Sequence, residues 1–170
     1  MLYSMSETIR QTAEAASAAY ERIAGLIAET PLQRSGFFSD AMDAEVYFKL
    51  ENRQHTGSFK LRGATNRLLT LPEAQRSRGC VAASSGNHGA AVACAMQRLG
   101  TGGVIFVPER TSPAKVAAIR GYGGNVQFFG NDGLDTEQHA RQYAEQNGLF
   151  YLSPYNDAEV IAGQGTCGIE

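Results

Sequence analysis

The stretch CVAASSGNHGAAVACAMQRL, residues 80–99, passes from a short apolar run through a serine- and glycine-bearing turn into an alanine-rich segment. The run Cys80 to Ala83 is too short for a helix and suits a buried strand, and Asn87 to Leu99 suits a helix. The same pairing recurs downstream. Val104 to Val107 reads as a strand, and Ser112-Pro113 opens a helix with serine as cap and proline at the first helical position. Val126 to Phe129 is a strand, Asp135 to Gln146 a helix, and Phe150 to Leu152 a strand. Strand and helix alternating over short connections predict parallel βαβ units. The fold class is therefore α/β, with open parallel sheets and flanking helices.

Outward from this block the pattern thins. Residues 6 to 28 read as an amphipathic helix with Ile9, Ala13, Ala16, Tyr20, Ile23 and Ile27 near helical spacing, ended by Thr30-Pro31. A loop over Gln33 to Asp43 precedes a strand, Val46 to Leu50. Ser58 to Leu71 reads as a helix with Leu61, Ala64, Leu68 and Leu71 on one face. Asp157 to the end reads as a glycine-rich helix. The aromatic pairs Phe37-Phe38 and Phe128-Phe129 are simplest as core. This divides the chain into 1–77, part of a larger domain; 78–152, a complete small α/β domain; and 153–170, a return into the larger one. The chain stops inside a helical pattern with no C-cap signal. The expectation is a fragment whose flanking segments are parts of a second layer with absent partners.

Composition narrows the class. Fifteen basic against seventeen acidic residues leave a net charge of −2, which argues against a nucleic-acid binder. No apolar run is long enough to span a bilayer, and Met1 to Arg10 lacks the pattern of a signal peptide. Cys80, Cys94 and Cys167 are odd in number and widely spaced. They suit a reducing, cytoplasmic setting and offer no metal-ligand cluster, so no metal is expected.

Two segments carry chemistry. Ser84-Ser85-Gly86-Asn87-His88-Gly89 follows a strand and opens a helix, so hydroxyls, an amide and unpaired backbone N–H groups meet where the helix dipole is positive. Such an end favours a carboxylate or phosphate. The plain alternative is a serine-capped glycine turn. The spacing is neither the dinucleotide fingerprint nor a P-loop. The second segment is His55-Thr56-Gly57-Ser58-Phe59-Lys60-Leu61-Arg62-Gly63. A lysine at a helix start near Arg62 should have a lowered pKa, and a neutral amine is what imine formation needs. Phe59 could pack on a planar ring. The ordinary alternative is a solvated lysine. Of the other lysines, Lys49 lies in a strand and Lys115 on a helix face, and neither has such surroundings. Gly163 and Gly165 in Ala162-Gly163-Gln164-Gly165-Thr166 read as tight backbone packing through a close helix–sheet contact. His55 and His139 read as surface or core histidines.

Together, Gly57-Ser58-Phe59-Lys60-Leu61-Arg62-Gly63-Ala64 and Ser84-Ser85-Gly86-Asn87-His88-Gly89 resemble the pyridoxal-phosphate enzymes of the tryptophan-synthase-β-like fold (fold type II). Within these they resemble the serine/threonine dehydratase and serine racemase branch. Thr30-Pro31-Leu32, Lys49-Leu50-Glu51, Val107-Pro108 and Ile161 to Thr166 extend the resemblance from about Thr30 to Glu170. The resemblance implies pyridoxal 5'-phosphate held as a Schiff base on Lys60, with Phe59 against its ring and Asn87 on its phenolic oxygen. It implies a substrate carboxylate among Ser84, Ser85, Gly86, Asn87 and His88. Ser85 takes the place of the racemases' acid/base opposite the lysine. The implied reaction is loss of water from L-threonine, L-serine or a related β-hydroxy amino acid, giving a 2-oxo acid and ammonia. An amino-acid racemase, a hydroxyaspartate dehydratase and a truncated non-catalytic chain are the alternatives. The implied partners are a small amino-acid substrate and further copies of the chain in a homo-oligomer, dimer or tetramer, with no nucleic acid and no membrane. Ser153 stands where many relatives have histidine before proline, and the family's glycine-rich phosphate loop belongs after Gly163, so the resemblance implies an N-terminal half, with the larger domain partial, that is inactive by itself.

Overall fold

A computed structural model describes residues 5–170, so part of the signal-peptide reading over Met1 to Arg10 lies outside the described residues. Helix α1 (Met5–Ile23) leads into strand β1 (Leu32–Arg34), helix α2 (Gly36–Met42) and strand β2 (Tyr47–Lys49). After a 3-10 turn at Glu51–Arg53 come helix α3 (Lys60–Thr70), the short α4 (Glu73–Arg76) and strand β3 (Cys80–Ala83). Then follow α5 (Asn87–Leu99), β4 (Gly103–Val107), α6 (Pro113–Gly121), β5 (Val126–Phe128), α7 (Gly133–Gln146), β6 (Phe150–Tyr151) and α8 (Ala158–Gly165), closed by a 3-10 turn at Thr166–Gly168.

Strands β5, β4, β3 and β6 lie side by side in that order, all parallel, with Val81 opposite both Val104 and Tyr151. The expected parallel α/β sheet is therefore present. Strand β3 is fully apolar because both sheet faces are covered. Ala82 and Ile105 join Leu61, Leu68, Val92, Ile119 and Val160 on one face. Val81, Val104 and Phe106 pack with Ala140 and Ala144 of α7 on the other. Strands β1 and β2 pair separately and antiparallel, Leu32 opposite Lys49.

The predicted face of α3 is buried, with Leu61, Ala64, Leu68 and Leu71 in the core. Helix α3 packs on α8 at very short range. A Cβ on Gly163 would lie 2.6 Å from the Cα of Gly63, so the tight packing expected here is present, but it is helix on helix rather than the expected helix on sheet.

Several sequence expectations are corrected. Helix α1 ends at Ile23, not near 28, because Gly25 takes a left-handed φ of 77° before Thr30-Pro31 is reached. The expected loop over 33–43 holds β1 residues and α2. Ser35 caps α2 by accepting from the Phe38 amide, and Asp43 closes it in the left-handed region. Phe37, Phe38, Phe128 and Phe129 are exposed rather than core. Phe38 instead makes edge contacts with Phe37 and Phe48, and Phe129 stacks on His139 with centroids 3.6 Å apart. Asp132 caps α7, which starts two residues before the expected Asp135. Helix α8 gives way to a 3-10 turn after Gly165 rather than continuing to the end.

Arg62 departs furthest from expectation. Its side chain is fully buried, and its guanidinium donates to both Glu51 and Glu170, and to Thr166 Oγ1 at 3.1 Å. Lys49 adds a further cation on Glu170, and the Thr30 amide donates to the same carboxylate. Residues two apart on a helix point about 200° apart. Arg62 therefore faces this carboxylate pair, away from the side chain of Lys60.

Burial alone would raise the Glu170 pKa, but hydrogen bonds from Arg62, Lys49 and the Thr30 amide outweigh it and hold the carboxyl at about 2, against an ordinary 4.5. Its contribution to stability is complete above pH 4.5 and is lost as pH falls toward 2. Acid unfolding followed by circular dichroism should therefore lose stability across that window. Glu170→Gln should flatten the slope, and an unchanged slope would contradict the linkage. Arg62→Met, which strands the buried Glu170 carboxylate and the partly buried one of Glu51, should cost about 3–5 kcal/mol in urea unfolding. A loss under about 1 kcal/mol would show that the cluster is not buried as described.

Candidate active site

In an open parallel sheet the crevice lies beyond the carboxyl ends of strands, where the order reverses. Here β4 lies on one side of β3 and β6 on the other, so that point falls between β3 and β6. Beyond β3 the Ser84 amide still donates to Phe106 O at 3.0 Å, and the Ser84 hydroxyl accepts from the Gly86 amide. Gly86 is the N-cap of α5 and has no side chain to cap it. Among the described residues no hydrogen bond reaches the amides of Asn87, His88 or Gly89. A Cβ on Gly89 would lie 2.2 Å from Ser84 O, so only glycine lets this turn fold back onto the helix. The result is a helix start with unpaired donors at its positive end, suited to an anion.

Lys60 is the first residue of α3. Gly57, with φ of 72°, makes the turn that precedes it. The Lys60 ammonium donates to Pro154 O at 2.9 Å and lies 5.2 Å from the Phe59 ring centre. Phe59 is exposed and offers an open ring face. Lys49 is committed to Glu170 and Thr30 O, and Lys115 is exposed on α6.

His88 is buried, and its Nε2 lies 3.0 Å from Leu152 O. A carbonyl only accepts, so Nε2 carries the proton and Nδ1 is an acceptor, buried without a partner. Burial pushes the His88 pKa down to about 4, against the hydrogen bond to Leu152 and with the help of the Lys60 charge, so the ring is neutral at pH 7. The segment Leu152-Ser153-Pro154 thus accepts from both halves of the site, His88 of α5 and Lys60 of α3.

Ser84, Ser85 and Gly86 line a cleft of about 390 Å³ together with Gly133, Glu137 and Tyr155. Asn87 is exposed at the α5 start. A larger cleft of about 600 Å³ lies against α6, lined by Val116, Arg120 and Phe128, and gathers none of the candidate residues. His55 is exposed, and its carbonyl accepts from the Tyr122 hydroxyl. Among the described residues no group of three or more His, Cys, Asp or Glu is placed to hold a metal. Sequence reasoning missed Glu137, Tyr155 and the two carbonyls of the 152–154 segment. In the sequence Ser153 stands out only as the residue where relatives have histidine before proline, and no residue pattern announces which way a backbone carbonyl points.

The Pyridoxal-phosphate dependent enzyme family matches residues 23–170. The catabolic L-threonine dehydratase TdcB of Escherichia coli K12 is 42% identical over 154 residues, covering 89% of this chain and 46% of that protein. The chain spans about half the length of the curated relatives it matches. Among solved structures, the processed threonine deaminase isoform 2 of Solanum lycopersicum superposes with a TM-score of 0.88 at 35% identity, over 98% of this chain and 45% of that one. Maize serine racemase superposes with a TM-score of 0.87 at 33% identity, over 92% of this chain and 47% of that one. These neighbours share the parallel sheet with flanking helices. With its family match running from Ile23 through Lys60 and the α5 start to Glu170, the chain belongs to the pyridoxal-phosphate dependent enzymes.

Proposed function

We propose that the full-length protein is a pyridoxal-phosphate-dependent ammonia-lyase. It removes water from L-threonine, L-serine or a related β-hydroxy amino acid and yields a 2-oxo acid and ammonia. The observation that carries this reading is the meeting of a lysine amine and an uncapped helix start on one short segment, 152–154. The residues fit the cofactor. Among the described residues Lys60 donates to a carbonyl and pairs with no carboxylate, which leaves its amine available to take up an aldehyde, and Phe59 offers a ring face. When bound, that cofactor supplies a sink for the charge left at the substrate α-carbon.

The chain's own groups do the rest. Lys60 would hold the cofactor, and its amine would take the α-proton on its side. The amides of Asn87, His88 and Gly89 orient the substrate carboxylate at the positive end of α5. Neutral His88 fixes that helix start to Leu152 O without adding a competing charge. Asn87, exposed at the same end, would hold the cofactor's phenolic oxygen. Ser84, Ser85 and Gly86 form the wall facing the substrate. The hydroxyl of Ser85 in that cleft also favours a second reading, an amino-acid racemase, in which it exchanges a proton on the face opposite Lys60.

Segments 1–77 and 153–170 belong to one domain and 78–152 to another. The packing of α1 and α3 on α8 supports grouping 1–77 with 153–170. The three free cysteines support a cytoplasmic setting. The exposed cluster of Phe37, Phe38 and Phe48 supports a homo-oligomer.

Borohydride reduction of the full-length protein with pyridoxal phosphate, followed by peptide mapping, should place the label on Lys60. A label on Lys49 or Lys115 would overturn the assignment. Ser85→Ala should slow racemisation and reaction of D-substrates by about tenfold or more while sparing elimination from L-substrates, because Lys60 already supplies the base on one face. Equal loss of all activities would mean that Ser85 only binds the carboxylate.

A further inference from the structure

The cleft beyond β3 and β6 has a wall that the proposed chemistry leaves unused. It is built by Gly133 and Glu137 at the start of α7, across from Ser84, Ser85 and Gly86. A Cβ on Gly133 would meet nothing within 4 Å, so there is open space beside it. The helix start is firmly placed. Asp132 accepts from the amides of Leu134 and Asp135, and the Thr136 hydroxyl donates to Phe129 O at 2.7 Å. Arg141 donates to Glu137 from Nε at 3.0 Å and Nη2 at 2.7 Å, and both bonds go to Oε1. Glu137 Oε2 has no partner among the described residues. Arg141 itself is drawn over the Tyr151 ring, 4.2 Å from its centre. No lysine or arginine is among the described residues that line the cleft. The charge of Glu137 also reaches inward, raising the proton affinity of His88 and of Tyr151.

We infer that Glu137 is a specificity-determining residue of this cleft, which admits β-hydroxy amino acids with an uncharged side chain and rejects those bearing a carboxylate on the β-carbon. The inference rests on the lyase reading above and deepens it. With the α-carboxylate at the α5 start, the substrate's β-substituents are directed to the opposite wall. There a hydroxyl can donate to Glu137 Oε2, whereas a second carboxylate meets a like charge with no cation among the lining residues to offset it. The space beside Gly133 makes the discrimination electrostatic rather than steric.

The test is Glu137→Gln in the full-length holoenzyme, since glutamine keeps the shape and can still accept from Arg141. The ratio of kcat/KM for L-serine or L-threonine to that for 3-hydroxyaspartate should fall at least about tenfold, chiefly through a lower KM for the dicarboxylate. Succinate should become a correspondingly better competitive inhibitor, with propanoate unchanged. Glu137→Asp keeps the charge and should keep the discrimination, which separates this role from a merely structural one. Unchanged ratios, or equal loss with every substrate, would overturn the inference while leaving the lyase reading intact. A wild-type enzyme with no activity on any β-hydroxy amino acid would overturn both.

Discussion

A guanidinium with no exposed surface sits between two carboxylates at the base of α3. Taking Arg62 out of water is costly, and the charge is tolerable only because Glu51, Glu170 and Thr166 Oγ1 surround it. These partners come from segments more than a hundred residues apart in the chain. The cluster therefore joins the end of the β1–β2 region, α3 and the turn after α8 at one point. A buried pair of this kind is weak as a source of net stability, but it penalises any arrangement that separates its members.

The orientation of α3 follows, and with it the site. With Arg62 turned toward the carboxylates and Gly63 pressed on Gly163, Lys60 emerges on the other side of the helix and reaches Pro154 O. From the opposite direction α5 begins where β3 ends and reaches the same short segment through His88 and Leu152 O. The segment can serve both because β6 lies directly beside β3, at the reversal of strand order. A lysine amine and a helix start with unpaired donors are thus set near one segment by backbone geometry. These groups need no direct bond to one another.

The parallel sheet was legible because its strands are short apolar runs bounded by glycine and proline, and β3 and α5 fall at the residues read from sequence. The α1 boundary was misplaced because the proline at Pro31 is conspicuous, while Gly25 ends the helix earlier through its left-handed backbone. Helix α2 escaped notice because it is seven residues long and its apolar residues stay exposed, so no buried face marks it. The motifs around Lys60 and Ser84 stood out because glycines there are needed for a left-handed turn at Gly57 and close approach at Gly89. Arg62 was misread because sequence nearness to Lys60 suggested an electrostatic neighbour, whereas helix geometry sends the two apart. Glu137 and the carbonyls of 152–154 join the site only through folding, and nothing local announces them.

The central claim is that the starts of α3 and α5, with the 152–154 segment between them, form one site for an anionic aldehyde cofactor. Amide hydrogen exchange on the full-length protein, with and without pyridoxal phosphate, tests it most directly. The account predicts new protection at 57–61, 85–89 and 152–155 together, abolished in all three by Lys60→Ala. Protection confined to the cleft around 111–121, or protection that survives Lys60→Ala unchanged, would contradict it.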